Sequence, residues 1–295
     1  MSSKYPWMSY LARVLTMITF GVSVVGIIGY SVDLYRHGQQ HHYIGWFSSA
    51  GFVLLTIPIS IRLIVMHLTH WNSPNIQKYV VRIIWMVPIY AVESWLALRF
   101  KSLSLYIETL RECYEAYAIF NFLYFLIALL GDEQQIITKL KGKSMEYGRH
   151  KWPVSLIVSP WAMGSELLNK CKLGVLQYVI IKNLAAILVC ILQSDGMYHE
   201  GRFRLNEGYL YQCVICNISQ LWALYCLILF YFATKEELTP WRPVGKFLCV
   251  KMVVFFTWWQ SIVISAFASM GVIDDKEDTW TVTEIAQGLQ VGLLK

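Results

Sequence analysis

The chain has 295 residues, of which 15% are charged and 56% are of hydrophobic types. A soluble domain carries about 25% charged residues, so this composition excludes a disordered chain and a soluble enzyme with a water-covered surface. The net charge is +6. The basic residues lie in loops beside apolar runs, where the positive-inside rule explains them better than nucleic-acid binding does. We therefore expect an all-α, polytopic membrane helix bundle whose main partner is the lipid bilayer.

Four apolar runs make up most of the first 131 residues, over residues 14–32, 46–68, 82–99 and 113–131. The first run is long enough to cross a membrane, and no A-x-A cleavage site follows it, which argues against a signal peptide. The fourth run is the most amphipathic of the set. It either spans the bilayer or lies in its interface.

A polar segment over residues 132–172 separates these runs from the rest of the chain. It holds the densest basic stretch of the sequence: Lys139, Lys141, Lys143, Arg149, Lys151, Lys170 and Lys172. Loops that carry such an excess of Lys and Arg beside membrane helices stay on the cytoplasmic side. We therefore predict that this segment faces the cytoplasm.

Three further apolar runs follow, over residues 173–192, 208–234 and 252–270. With all seven runs crossing, the N-terminus lies inside; if the fourth does not cross, six spans remain and the N-terminus lies outside. The predicted organisation is N-terminal membrane helices, a basic loop, C-terminal membrane helices and an acidic tail, over residues 1–131, 132–172, 173–270 and 271–295. The pattern predicts an integral multi-pass membrane protein and is equally compatible with the plasma membrane and an endomembrane.

Two opposite charges lie near the middle of apolar runs, Glu93 in the third run and Lys182 in the fifth. A charge at mid-bilayer costs roughly 2.5–3.5 kcal/mol on insertion scales, so each needs a partner or a water-filled cavity. We predict that the two side chains pair. The pair is either a structural tie between helices or part of a polar path for a substrate.

Three more polar residues complete the candidate intramembrane site. Glu115 and Asn121 lie in the fourth run, six residues apart, so they do not share one tight helical face. Glu115 is either interfacial or part of the site. Gln260, in the last run, either lines a cavity or forms a hydrogen bond between helices.

No motif in the sequence indicates catalysis or a cofactor. There is no Walker A loop, no HExxH and no nucleophile elbow. Cys213 and Cys216 form a CxxC, but they lie in an apolar helix pattern, where cysteine packs as a small hydrophobe. The histidines at His37, His41 and His42 have no carboxylate or cysteine cluster beside them. We therefore expect no enzyme activity, no cofactor and no metal site.

Several blocks of sequence resemble the transmembrane protein 184 family, relatives of the organic solute transporter alpha subunit. They are Pro88–Trp95, Arg111–Phe122, Cys171–Tyr178, Val244–Lys251 and Phe255–Gln260. Two shorter blocks point to the C-type branch of that family, Ser159–Gly164 and Lys235–Pro240. The resemblance extends from about Trp46 to about Gln290.

The resemblance implies a transmembrane carrier of amphipathic organic solutes. The alternative is a non-transporting, receptor-like or scaffold membrane protein involved in signalling or growth regulation. The related transporter subunit needs a single-span partner, so the resemblance also implies either such a partner or a homo-oligomer. An amphipathic small molecule is the expected solute.

The sequence departs from the family pattern at two places. Lys182 is followed by Asn183 where the family usually has proline, so the fifth helix should lack a kink at this point. After Gln290 the family continues into one more membrane helix, whereas this chain reads Val-Gly-Leu-Leu-Lys. We therefore expect a shortened form in which the family's final helix is missing.

Overall fold

The computed structural model describes residues 41–150, 152, 154–156, 158–198 and 208–241, with isolated positions at 14, 17–18, 21–22, 25–26, 29 and 245. Regular structure in this part of the chain is entirely helical. The α-helices are α1 His41–Thr69, α2 Pro74–Ile84, α3 Met86–Arg99, α4 Ser104–Leu130, α5 Glu133–Lys141, α6 Ser165–Ser194, α7 Gly208–Ala233 and α8 Lys235–Leu238. Short 3-10 turns lie at Lys101–Leu103, Met145–Gly148, Val154–Leu156 and Thr239–Trp241.

The described residues contain five helical stretches that are long and apolar enough to cross a membrane. They are Ser49–Thr69, Pro74–Arg99, Ser104–Leu130, Ser165–Ser194 and Gly208–Ala233. The all-α membrane fold and the multi-pass membrane location are thus confirmed. The fourth apolar run belongs to one of these stretches, which favours a span over an interfacial helix. The predicted run over residues 252–270, with Gln260, lies outside the described residues; the described positions of the first run are helical.

Tertiary packing divides the chain into two units. The first comprises Met1–Gln77, Ile84–Arg111 and Lys246–Lys295; the second comprises Lys78–Ile83 and Glu112–Gly245. In the first unit α1 packs against α3. The Trp46 and Trp95 rings stack at 5.3 Å between centroids, and the Arg99 guanidinium lies 5.6 Å from the Trp46 ring.

The α1 helix accommodates a proline at mid-length. Pro58 has no N–H, so one carbonyl of the preceding turn loses its helical donor. Two hydroxyls on either side bond back to the helix: Thr56 Oγ1 donates to the Phe52 carbonyl and Ser60 Oγ to the Thr56 carbonyl, both at 2.8 Å. Neither hydroxyl bonds to the Leu54 carbonyl, which Pro58 cannot reach, so these contacts flank the proline and do not replace its missing bond.

The predicted third run proves to be two helices joined at Trp85. It begins at Pro74, well before residue 82, because proline suits the first helical position and Gln77 Oε1 accepts a hydrogen bond from the Ser73 amide at 3.0 Å. The break at Trp85 precedes Pro88 by three residues. Pro88 cannot donate to the Ile84 carbonyl, so the regular helix is interrupted there.

In the second unit α6 and α7 pack antiparallel along a close seam. Gly174 lies against Cys226 so tightly that a Cβ on Gly174 would be 2.3 Å from the cysteine Sγ. About one turn further along α6, Gln177 forms two hydrogen bonds with Ser219 of α7. Ser219 Oγ donates to Gln177 Oε1 at 2.8 Å, and Gln177 Nε2 donates to the Ser219 carbonyl at 3.0 Å.

The α6 helix is continuous through Lys182 and Asn183. Asn183 Nδ2 donates to the Val179 carbonyl at 2.7 Å, within the same helix. The helix ends where Gly196 takes a φ of +67°, with the Met197 amide bonded to the Leu192 carbonyl and the Gly196 amide to the Gln193 carbonyl. This is a Schellman motif, which satisfies the last carbonyls of the helix.

The segment between α5 and α6 packs along the last turns of α7. Lys143 Nζ donates to the Ala233 carbonyl at 2.7 Å, and further on His150 Nδ1 lies 2.8 Å from the Tyr225 hydroxyl. The Trp161 amide donates to the Gly148 carbonyl at 3.0 Å. A Cβ on Gly148 would be 2.2 Å from the Trp161 carbonyl oxygen, so only glycine fits this contact.

Candidate intramembrane polar site

An ion pair joins α4 and α6 within the second unit. Lys182 Nζ lies 2.7 Å from Glu112 Oε2. Lys182 is the only charged residue between Lys172 and Asp195, so it lies deep in the apolar length of α6. At about 1.5 Å per residue it is about 26 Å from the start of the helix and about 18 Å from its end. The charge that the sequence placed inside the membrane therefore has a carboxylate partner.

The pair is only partly covered. The Lys182 side chain is 12% exposed, whereas the Glu112 side chain is 38% exposed. A carboxylate is costly in contact with hydrocarbon, so an exposed one at this depth requires water or a polar ligand beside it. This openness distinguishes the pair from a fully enclosed structural tie.

A second carboxylate lies in the field of the same ammonium. Glu115 follows Glu112 by three residues on α4, a spacing that places both on one helical face. Glu115 is close enough to Lys182 and to the Tyr178 hydroxyl to interact electrostatically with both. Tyr178 is 2% exposed and lies one turn before Lys182 on α6. The cluster thus combines one cation, two carboxylates and a buried phenol.

Cysteine thiols complete the surroundings of Lys182. Cys113 of α4 and Cys216 of α7 both lie within electrostatic range of its ammonium group. Both thiols are free, as are the other four cysteines that the structure describes. Among the described residues no group of three or more His, Cys, Asp or Glu side chains is placed to hold a metal ion.

Glu112 is a residue of the candidate site that the sequence interpretation missed. The predicted fourth run began at Cys113, so the preceding glutamate was counted with the flanking loop. The helix in fact begins at Ser104, which places Glu112 well inside it. The sequence signal that could have identified Glu112 is its i, i+3 spacing from Glu115. Two carboxylates on one face of an apolar helix indicate a common cationic partner.

Glu93 belongs to a different ion pair, in the first unit. Arg111 Nη1 lies 3.2 Å from Glu93 Oε2, and Ser94 Oγ donates to the same oxygen at 3.3 Å. The Arg111 guanidinium also lies 5.3 Å from the centre of the Tyr90 ring. The predicted pairing of Glu93 with Lys182 is therefore wrong: each charge is neutralised by another residue. Glu93 is 5% exposed, as expected for a structural tie.

Asn121 lies apart from Glu115, as their spacing predicted. It is fully buried, its Nδ2 donates to the Tyr117 carbonyl at 2.7 Å, and Arg82 Nη1 donates to its Oδ1 at 3.3 Å. The Tyr114 hydroxyl donates to the Arg82 carbonyl at 2.7 Å. Asn121 thus binds a neighbouring segment, and its polar atoms are satisfied within the protein.

Comparison with known proteins assigns the family. The family model for the organic solute transporter Ostalpha matches residues 45–294. Protein LAZ1 homolog 1 of Arabidopsis thaliana is 37% identical over 285 residues, covering 90% of this chain and 58% of the relative. Protein LAZ1 of the same plant is 38% identical over 259 residues, covering 83% of this chain and 52% of the relative.

This chain therefore spans little more than half the length of these relatives. No solved structure matches the sequence. The agreement over most of the chain confirms the relationship to organic solute transporters that the sequence blocks indicated. With a family model covering residues 45–294 and two relatives above 30% identity, the chain belongs to the organic solute transporter Ostalpha family.

Proposed function

We propose that the protein is a non-enzymatic carrier of amphipathic organic solutes across a membrane. The observation that supports this function is the partly exposed ion pair that Lys182, deep in the apolar length of α6, forms with Glu112 of α4. A solute with a charged end and an apolar body matches such a place, because its charged end exchanges with one partner of the pair while its body stays in apolar surroundings.

The surface of α6 supports entry of the solute from the bilayer. Apolar side chains on both sides of Lys182 along the helix are exposed, among them Ile180, Leu184 and Ile187. An amphipathic molecule dissolved in lipid can therefore approach the helix laterally. A fully hydrophilic solute would have no such approach, which is why the proposal is restricted to amphiphiles.

The direct test is solute flux in sealed vesicles prepared from expressing cells, which retain a single-span partner or a second copy if one is needed. We expect uptake of a labelled amphipathic anion above that of vesicles without the protein. Lys182→Met should lower the initial rate about tenfold, since loss of a charge-assisted contact costs about 1.5–3 kcal/mol. Lys182→Arg should retain part of the rate because it keeps the charge.

The matched control is Glu166→Gln, which removes the partner of Lys170 in an exposed pair at the start of the same helix. That variant should transport like the parent. Equal rates for Lys182→Met and the parent would place the solute path elsewhere. Absence of any protein-dependent flux over a panel of amphiphiles would contradict the carrier and favour the receptor-like or scaffold class.

A further inference from the structure

A cavity of about 370 Å³ lies beside the last turns of α7, away from Lys182. One wall is formed by Glu146, Tyr147 and Arg149, from the turn that packs on this helix. The other wall includes Ile228 and Phe232 of α7, both exposed. The volume is at the low end of the roughly 300–1,000 Å³ of small-molecule pockets, enough for one polar group and a short apolar extension.

The polar wall offers one charge of each sign. Arg149 and Glu146 are both exposed. Within the part of the chain that the structure describes, neither side chain forms an ion pair or a hydrogen bond with another residue. This differs from Lys143, Lys170 and Lys172 nearby, each of which has a carboxylate partner. The cavity therefore presents a guanidinium and a carboxylate that are both available to a ligand.

The depth of the cavity follows from the packing of α7 on α6. Cys226, within the cavity's stretch of α7, contacts Gly174. At that level the charged start of α6, with Glu166, Lys170 and Lys172, gives way to the apolar run that begins at Leu173. Such a change from charged to apolar residues marks the boundary between the headgroup region and the hydrocarbon core.

We propose that this cavity binds the headgroup of a zwitterionic phospholipid. Arg149 would pair with the phosphate, since guanidinium matches phosphate oxygens in charge and geometry. Glu146 would pair with the ammonium group. Ile228 and Phe232 contact the first methylenes of the acyl chains. An anionic lipid lacks the cation that Glu146 requires, and a small soluble zwitterion leaves the apolar wall uncovered.

One further contact fixes the shape of the site. The Tyr225 hydroxyl, which lines the cavity, lies 2.8 Å from His150 Nδ1, and the His150 ring packs edge-on against Trp161 at 4.6 Å between centroids. These contacts hold the turn at residues 145–148 against α7 before any ligand arrives. A pre-formed site loses less conformational entropy on binding.

The experiment measures equilibrium binding of radiolabelled dihexanoyl-phosphatidylethanolamine to the 295-residue chain in detergent, so it is independent of transport. Competitors differ from it in one property each: dihexanoyl-phosphatidylglycerol has no cation, dihexanoylglycerol has no headgroup, and phosphoethanolamine has no acyl chains. We expect each to compete at least about tenfold more weakly than the unlabelled zwitterionic lipid. Equal competition by dihexanoyl-phosphatidylglycerol or by dihexanoylglycerol would overturn the headgroup assignment. Equal competition by phosphoethanolamine would replace the lipid with a soluble zwitterion.

Two variants test the roles of the charges. Arg149→Gln should weaken binding of the labelled lipid about tenfold. Glu146→Gln should remove the preference for phosphatidylethanolamine over phosphatidylglycerol. Lys139→Gln, an exposed cation on α5 outside the cavity, should leave both affinities unchanged. The proposal would be contradicted if the Arg149 and Glu146 variants kept the thermal stability of the parent and also its headgroup preference. If a variant fails to fold, the competition series on the parent chain decides the question.

Discussion

Lys182 and Glu112 form a 2.7 Å ion pair between two membrane helices, and a second carboxylate, Glu115, lies in the field of the same lysine. Removing Lys182 therefore leaves Glu112 without its ion-pair partner and takes away a cation that also attracts Glu115. Removing Glu112 leaves Glu115 available to the lysine, so the damage is smaller. Loss of Lys182 should therefore lower the stability of the protein more than loss of Glu112, and this difference can be measured.

We expect Lys182→Met to destabilise the protein by about 2 kcal/mol and Glu112→Gln by less. These values are below the 3–5 kcal/mol of a fully buried pair because Glu112 is more than a third exposed. The double variant should recover part of the loss. The measurement is a double-mutant cycle on thermal or denaturant unfolding in detergent, with the exposed Glu166–Lys170 pair of α6 as a reference cycle with weak coupling. Strict additivity of the two losses would show that the pair contributes nothing.

Gly174→Ala should destabilise the protein by about 1–3 kcal/mol, because the new methyl group overlaps the Cys226 thiol. Cys226→Ala in the same chain removes the overlapping sulfur and should restore part of the stability. Gly142→Ala is the matched control, since a Cβ there meets its nearest atom at 3.5 Å. The readout is the melting temperature of each purified variant. A Gly174→Ala chain as stable as the parent would contradict the close seam.

His150 should make the protein less stable in mild acid. Burial, and to a smaller extent the nearby Lys170 charge, lowers the pKa of His150, while a hydrogen bond with the Ser159 backbone acts in the opposite sense. The unfolded chain then binds a proton more readily than the folded one. Stability is full above the ordinary pKa of about 6.5 and declines as the pH falls below it.

The check for this titration is the melting temperature from about pH 8 to about pH 5.5. His150→Phe keeps a ring against Trp161 and should show a smaller decline than the parent. His70→Gln, at an exposed histidine, should keep the decline of the parent. If the His150 variant follows the parental pH curve, the decline arises from another group.

A separate loss of stability is expected at lower pH from Glu237. Burial tends to raise the pKa of Glu237, but its hydrogen bond with Lys143 and the charges of Lys143 and Lys139 together lower it. The contribution is therefore complete above the ordinary value of about 4.5 and is lost as the pH falls through the lowered pKa. Lys143→Met should cost about 1–2 kcal/mol at neutral pH, since it also leaves the Ala233 carbonyl without its donor.

Lys235→Met, which removes an exposed lysine at the start of α8, is the control for Lys143→Met. Unfolding is followed by denaturant titration at neutral pH and at about pH 4. We expect the difference between the Lys143 variant and the parent to shrink in acid, because Glu237 is then partly protonated in both. A difference that is constant over this range would show that the lysine acts through its packing alone.

The side of the membrane on which residues 132–172 lie remains a prediction. Met145 is a suitable probe position because its side chain is 60% exposed, whereas Ser144 Oγ accepts a hydrogen bond from the Glu146 amide and is better left intact. A cysteine introduced by Met145→Cys should react with an impermeant thiol reagent only after the cells are permeabilised. If the variant were labelled on intact cells more strongly than the parent chain, residues 132–172 would lie outside the cell and the predicted topology would be wrong.

Composition and hydropathy predicted most of the helices because a bilayer tolerates few alternatives to long apolar helices. Four helices begin earlier than predicted, α2, α4 and α6 by eight or nine residues and α1 by five. From the sequence, the charged and polar residues in the first turns of α2 and α4 were assigned to loops. In the structure they are helical, and the start of α2 is capped by the bond from the Ser73 amide to Gln77 Oε1. Glu112 was missed because the start of α4 was assigned to a loop. The expectation that α6 lacks a kink at Asn183 stays a prediction, because a helix can be continuous through a kink.

The partners of the intramembrane charges could not be predicted in the same way. The sequence shows that Glu93 and Lys182 each need a partner, but the choice among nearby opposite charges depends on how the helices pack. Arg111 and Glu112 are adjacent in the chain and serve two different ion pairs. A one-residue step along α4 turns a side chain by about 100°, so the two neighbours point in different directions.

The seam between α6 and α7 limits how this part of the protein can move. Sliding one helix along the other would separate both hydrogen bonds between Gln177 and Ser219 and press the Cys226 side chain against backbone beyond Gly174. Close-packed interfaces shift between discrete arrangements and do not deform continuously. The two helices therefore form one mechanical element, and any displacement of Lys182 along α7 would carry the whole hairpin with it.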